Sequence, residues 1–122
     1  MMYDILNEKD NFMRIYIAGK VTGAKEPIKT FNKMRLILQQ EYPEAEIIDP
    51  VAMTHEINAL CPTFQHWEYM QICISALKTC THICLMPGWE DSEGAREEVR
   101  FAIDNRIKLI VHDPAGMRGD PE

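Results

Sequence analysis

No stretch of this chain approaches the roughly 20 consecutive apolar residues that a membrane-spanning helix needs, so no membrane partner is expected. The opening residues, MMYDILNEKDNF, lack both the basic start and the apolar centre of a signal peptide, and the expected location is cytoplasmic. Basic excess is also missing. The 13 Lys and Arg residues against 19 Asp and Glu leave a net charge of −6, the wrong sign for a nucleic-acid polymer, whose phosphates require a basic surface. One small phosphate is not excluded, since a few backbone N–H groups suffice to hold it. No Cys-x-x-Cys pair occurs among Cys61, Cys73, Cys80 and Cys84, and three of the four fall within apolar periodic segments. Buried free thiols are therefore expected in place of a zinc site, with no metal and no cofactor. No internal repeat is visible.

What is present describes one ordinary domain: 122 residues, 46% hydrophobic and 26% charged. Residues 1–11 are a mixed polar leader, residues 12–112 the domain, and residues 113–122 a tail rich in turn-forming types. Apolar runs at 13–18, 46–48, 82–86 and 108–111 are continuous rather than alternating, as befits strands covered on both faces. Between them lie helical stripes. Ile28, Phe31, Met34, Leu38 and Tyr42 recur at steps of three and four, with Pro27 suited to the opening turn. Trp67, Met70, Ile74 and Leu77 form a second stripe, and Ala95, Val99, Ala102 and Ile103 a third. Strands alternating with helices predict a flavodoxin- or Rossmann-like three-layer α/β/α fold with a parallel sheet of four to five strands.

In such folds ligands bind beyond the carboxyl ends of the strands, which directs attention to residues 19–23, 49–55 and 87–94. Gly19-Lys-Val-Thr-Gly23 follows the first strand, offering close backbone approach, N–H groups and the charge of Lys20. It is neither a Walker A loop nor a Gly-x-Gly-x-x-Gly fingerprint, and a plain tight turn explains it equally well. Asp91 and Ser92 both suit the N-cap of the following helix. Two adjacent acids lie on that helix. At about 100° per residue, the stripe of Ala95, Val99, Ala102 and Ile103 leaves Glu97 facing solvent, while Glu98 falls at its flank beside two alanines. Glu98 can therefore point into a cleft, although most glutamates are exposed.

The run Ile15-Tyr-Ile-Ala-Gly-Lys-Val-Thr-Gly23 resembles the opening strand and glycine loop of the nucleoside 2-deoxyribosyltransferases and the related 2′-deoxynucleoside 5′-phosphate N-hydrolases. Ser92-x-Gly94-x-x-x-Glu98-x-x-x-Ala102 resembles their nucleophile helix, and Ala76-Leu77, Cys80 and Leu85-Met-Pro-Gly-Trp-Glu90 are similar to small, often phage-borne members. The resemblance spans about residues 13–111. It implies that Glu98 attacks the anomeric carbon, releases the base and forms a glycosyl-enzyme that water or a second base resolves. It further implies that Gly19, Lys20, Thr22 and Gly23, with Ser92 and Gly94, hold the 5′ side of the sugar, including a phosphate where the substrate is a nucleotide. Trp89 or Tyr16 would stack on or orient the base; for Tyr16 a place in the core is favoured. A nucleoside or nucleotide is the implied small-molecule partner, and a homodimer or higher homo-oligomer the implied assembly.

One departure bears on turnover. Where relatives carry two aspartates, this chain has Cys73 and Thr81. The first aspartate assists departure of the base, and a thiol is a poor substitute. Either Cys73 faces the pocket or it packs in the core, the latter being favoured. Either the acid then comes from elsewhere, with Asp49, Glu90 and Asp91 as candidates, or departure of the base is poorly assisted. His55 and His66 are expected as surface loop residues and Trp67 as core. The expected function is N-glycosidic cleavage or transfer through a glutamate nucleophile. The alternative is a binding protein of the same fold that senses or sequesters a nucleotide, with scaffolding as a third possibility.

Overall fold

The computed structural model describes residues 12–111. Strands β1 (Arg14–Ala18), β2 (Glu46–Ile48), β3 (His82–Leu85) and β4 (Lys108–Val111) form one sheet in the order β2-β1-β3-β4. All three pairings are parallel. Helices α1 (Pro27–Glu41), α2 (Pro50–Leu60), α3 (His66–Leu77) and α4 (Glu93–Asp104) complete a three-layer α/β/α, Rossmann-like domain. The sheet has four strands. β1 begins one residue later and β3 ends one residue earlier than the apolar runs imply.

The two-residue period of a strand explains how one element serves two cores. Along β1, Ile15 and Ile17 pack with Phe31, Met34 and Leu38 of α1, together with Cys84 and Met86. Tyr16 and Ala18 face the other way, toward Cys73 and Leu77 of α3 and Val99 and Ala102 of α4, with Ile83 and Leu85 of β3 beside them. All four side chains from Ile15 to Ala18 are wholly buried. This is why the run is continuous: each position is covered from one side or the other.

Three expectations require correction. The segment 49–55 is not a loop, because α2 occupies it. Asp49 caps that helix by accepting from the Val51 and Ala52 amides at 3.0 and 3.1 Å, and Pro50 fits the first turn, where its missing N–H costs nothing. Trp67 is not core but 60% exposed. The buried face of α3 runs through Met70, Cys73 and Leu77, so the apolar stripe is turned toward Cys73 and leaves Trp67 on its flank. Ile28 and Ile103, at the ends of the other two stripes, are also exposed.

Cys73, Cys80 and Cys84 are buried free thiols, and Cys61 is free and exposed. Burial raises Cys80 to about 11 and Cys84 to about 12. Among the described residues, no group of three His, Cys, Asp or Glu side chains is placed to hold a metal ion. No helix among them is long and apolar enough to cross a membrane.

Candidate functional site

The chain leaves β1 toward β2 on one side and returns to β3 on the other, so the connections diverge between the carboxyl ends of β1 and β3. Such a switch point opens a crevice in parallel sheets. Here it opens into a cleft of about 430 Å³, within the range of small-molecule sites. Its walls are Gly19, Val21 and Thr22 after β1, His66, Tyr69 and Met70 of α3, and Asp91 through Ala95 with Glu98 at the start of α4. A larger cavity, about 690 Å³, lies at the opposite end of the sheet among Met13, Thr81, His82 and Lys108. Helix C-termini rather than N-termini point there, and Glu98 is remote from it.

Local sequence shapes the walls. Ser92 caps α4, its hydroxyl accepting from the Ala95 amide at 3.1 Å, so the N-cap reading holds for Ser92 while Asp91 ends a short 3₁₀ turn (Trp89–Asp91). Gly19 passes tightly over Met86, whose side chain a Cβ there would strike. A Cβ at Gly94 would come 3.3 Å from Met70 Sδ and 3.7 Å from His66 Cε1. Glycine at 94 thus lets α3 and α4 converge without filling the space between them.

Glu98 is the one wholly enclosed charged residue of the cleft wall, 5% exposed, while Glu97 is exposed. The Tyr16 hydroxyl donates to Glu98 Oε2 at 2.6 Å. Burial pushes the Glu98 carboxyl up to about 7; the Tyr16 bond opposes this by favouring the ionised form, and the charge of Glu97 adds slightly to the rise. Tyr16 itself is raised well above the usual phenol range, first by burial and then by the charge of Glu98, so it keeps the proton it donates. Among the described residues no other hydrogen bond reaches this carboxylate. One oxygen is held by Tyr16, and the residue lines the cleft.

Cys73 is sealed: wholly buried and not part of the cleft wall. Burial pushes its thiol to about 11, partly offset by hydrogen bonding from Tyr16 and Tyr69 and reinforced by the charge of Glu98. The core placement favoured for it on sequence grounds is the observed one, and a proton at Sγ cannot reach a ligand. Thr81 is distant too, its hydroxyl receiving the Arg14 amide at 3.0 Å near the amino ends of the strands.

The structure sorts the other expected residues. Gly19, Thr22, Ser92 and Gly94 line the cleft with Glu98. Lys20 and Gly23 do not; Lys20 is exposed, and Gly23 turns the chain at φ 82°. Trp89 is also outside the wall, half-buried against the α3–α4 side of the core, where its indole contributes packing instead of a stacking surface. Asp49 is committed to capping α2, and Glu90 is exposed away from the cleft. Tyr16 lies in the core and yet reaches the site, through its hydroxyl alone.

Two residues not expected at the site stand in it. His66 is the first residue of α3 rather than part of a loop, and it faces the cleft. Its ring stacks on Tyr69, centroids 6.3 Å apart at 24°. Tyr69 is raised well above the ordinary phenol range, chiefly by burial and then by the neighbouring Cys73 and Glu98. A stripe phased on Cys73 instead of Ile74 would have placed His66 and Tyr69 beside the buried face, toward α4.

No curated protein matches the chain, and no solved structure does. The model of one family, described as a domain of unknown function (DUF4406), matches residues 13–111 and so covers the sheet, all four helices and every residue of the cleft; the chain belongs to that family.

Proposed function

We propose that this protein cleaves or transfers at the N-glycosidic bond of a nucleoside, with Glu98 as the nucleophile, as in the deoxyribosyltransferases that its sequence resembles. The observation carrying this is the Glu98 carboxylate, buried at the wall of a 430 Å³ cleft with one oxygen held by Tyr16. An oxocarbenium-like anomeric carbon needs an anion at short range, and a desolvated carboxylate supplies one at full strength. Tyr16 fixes its orientation, so the other oxygen is aimed before substrate arrives. The enclosed position also limits access of water to the glycosyl-enzyme.

The cleft wall favours an uncharged nucleoside over its 5′-monophosphate. Among the described residues, Asp91, Glu93 and Glu98 line it, and no Lys or Arg does. Glu93 already complements the positive end of α4, where a phosphate would otherwise sit.

The burial of Cys73 favours a second reading, in which the protein binds a nucleoside without turning it over, because the acid that relatives place at this position has no counterpart here. Incubation with a panel of nucleosides and 5′-monophosphates, followed by chromatography of free base, separates the two. Release of base that disappears in Glu98→Ala supports the nucleophile. Saturable binding by calorimetry with no base released supports the binding protein. Full release by Glu98→Ala removes Glu98 from the reaction.

A further inference from the structure

Resting on the glycosidase reading, we infer that His66 is the group that gives a proton to the departing base, in place of the acid lost at Cys73. Four observations bring it forward. His66 lies seven residues before Cys73, two helical turns along the same face of α3, so the helix that would present an acid at Cys73 presents an imidazole further toward its N-terminus. The imidazole lines the same cleft as Glu98 and lies over Gly94, at the first turn of the helix that carries the nucleophile. Stacking on Tyr69 orients the ring, and among the described residues neither ring nitrogen has a hydrogen-bond partner. Finally, Glu98 is buried while His66 is exposed. A sugar whose anomeric carbon meets Glu98 therefore directs its base outward, toward the mouth where His66 stands.

The other titratable groups of the wall suit this task less well. Asp91 ends the 3₁₀ turn before α4, and Glu93 complements the positive end of that helix. Tyr69 holds its proton too firmly, being raised well above the usual phenol range by burial. Imidazole is the side-chain type that both gives and takes protons near neutrality.

The chemistry balances. A Glu98 carboxylate oxygen bonds to C1′ as the C1′–N bond breaks, and its electron pair stays on the base. The His66 imidazolium protonates a ring nitrogen of that base, leaving neutral imidazole. In the second step the imidazole takes a proton from water as its oxygen attacks C1′. Glu98 then departs as carboxylate, and the imidazolium is restored.

The test compares two leaving groups, one needing a proton and one not. The kcat/KM for release of adenine from 2′-deoxyadenosine and of 4-nitrophenolate from 4-nitrophenyl 2-deoxyriboside is measured for the wild-type chain and for His66→Gln, with Glu98→Gln as the nucleophile control and thermal melting to check folding. General acid assistance is worth about 10²- to 10⁴-fold, so His66→Gln is expected to lower the deoxyadenosine value by about 10²-fold more than the nitrophenyl value. Equal losses on both substrates, or no loss on either, overturn the role of His66. Wild-type cleavage of the nitrophenyl compound alone overturns it as well, while leaving Glu98 as nucleophile. If the wild type cleaves neither, the glycosidase reading falls and the role of His66 with it.

Discussion

Between about pH 4.5 and pH 7 the Glu98 carboxyl keeps its proton in the folded chain, while an unfolded chain would already have lost it. The folded state therefore binds more protons than the unfolded one across that window, and stability contributed by this residue is present below it and lost as the pH rises through it. A gap of that width corresponds to about 3 kcal/mol. Glu98→Gln removes the penalty while leaving an oxygen to accept from Tyr16. It is expected to stabilise the fold at pH 8 by up to about 3 kcal/mol and to have little effect at pH 4, read by chemical denaturation at the two pH values. The same charge is needed as nucleophile, so release of 4-nitrophenolate, which needs no proton from His66, should rise with pH through about 7. Tyr16→Phe deletes a hydrogen bond to the ionised form, worth roughly 1.5–3 kcal/mol, and should move the rising limb of that profile upward by about one to two pH units. Nitrophenolate release at pH 7 would then fall about 5- to 50-fold and recover toward pH 9. At this scale the sequence was informative about direction but not depth. Helical phasing separates Glu98 from Glu97, since only one of them can lie beside Ala95 and Ala102. The same reasoning shows which face of β1 carries Tyr16, but not that its hydroxyl extends past the core to a carboxylate 82 residues later.

The elements differ in how plainly they announce themselves. α1 and α4 carry long stripes and opening residues suited to a first turn or a cap, and their positions follow from periodicity. α2 does not: only Pro50, Val51 and Thr54 are buried along its 11 residues, so its apolar stripe is too short to stand out from a loop. Its cap was nevertheless written in the sequence, as Asp49 before Pro50. In α3 the apolar residues Trp67, Ile72 and Ile74 blur the phase, and a stripe drawn through Trp67 turns away from Cys73. His66 and Tyr69 lie off such a stripe, on the side facing α4. The observed phase has a measurable consequence. Trp67→Lys should change stability by no more than about 0.5 kcal/mol in a denaturant titration, whereas truncation of a core tryptophan would cost about 3–5 kcal/mol. A large loss would return Trp67 to the core.

For the molecule as a whole, handedness and parallel pairing follow from alternating strands and helices, whereas strand order does not. The order β2-β1-β3-β4 locates the switch point between β1 and β3, where Gly19, Ser92 and Glu98 stand around one cleft. Charge is distributed on the same scale. The chain carries −6 overall, and three of its acids stand on the cleft wall, where no Lys or Arg lies among the described residues. A dianionic phosphate approaching it is opposed both by the general field and by its nearest neighbours. The kcat/KM for a 5′-monophosphate should accordingly fall at least about 10-fold below that of the parent nucleoside at low ionic strength, with the gap narrowing as salt is raised to ~0.5 M. Equal rates for the two at low salt would mean that a cation reaches the ligand after all.

Tyr16 sits midway along the strand that is paired on both sides and covered on both faces. The amides of such a strand are the last in a domain to exchange with solvent, because they open only when the whole domain does. The partner that aims the Glu98 carboxylate therefore belongs to the slowest-breathing part of the molecule. Warming would loosen the loops around the cleft, but the angle of the carboxylate would survive until cooperative melting, and the site would disappear only with the fold.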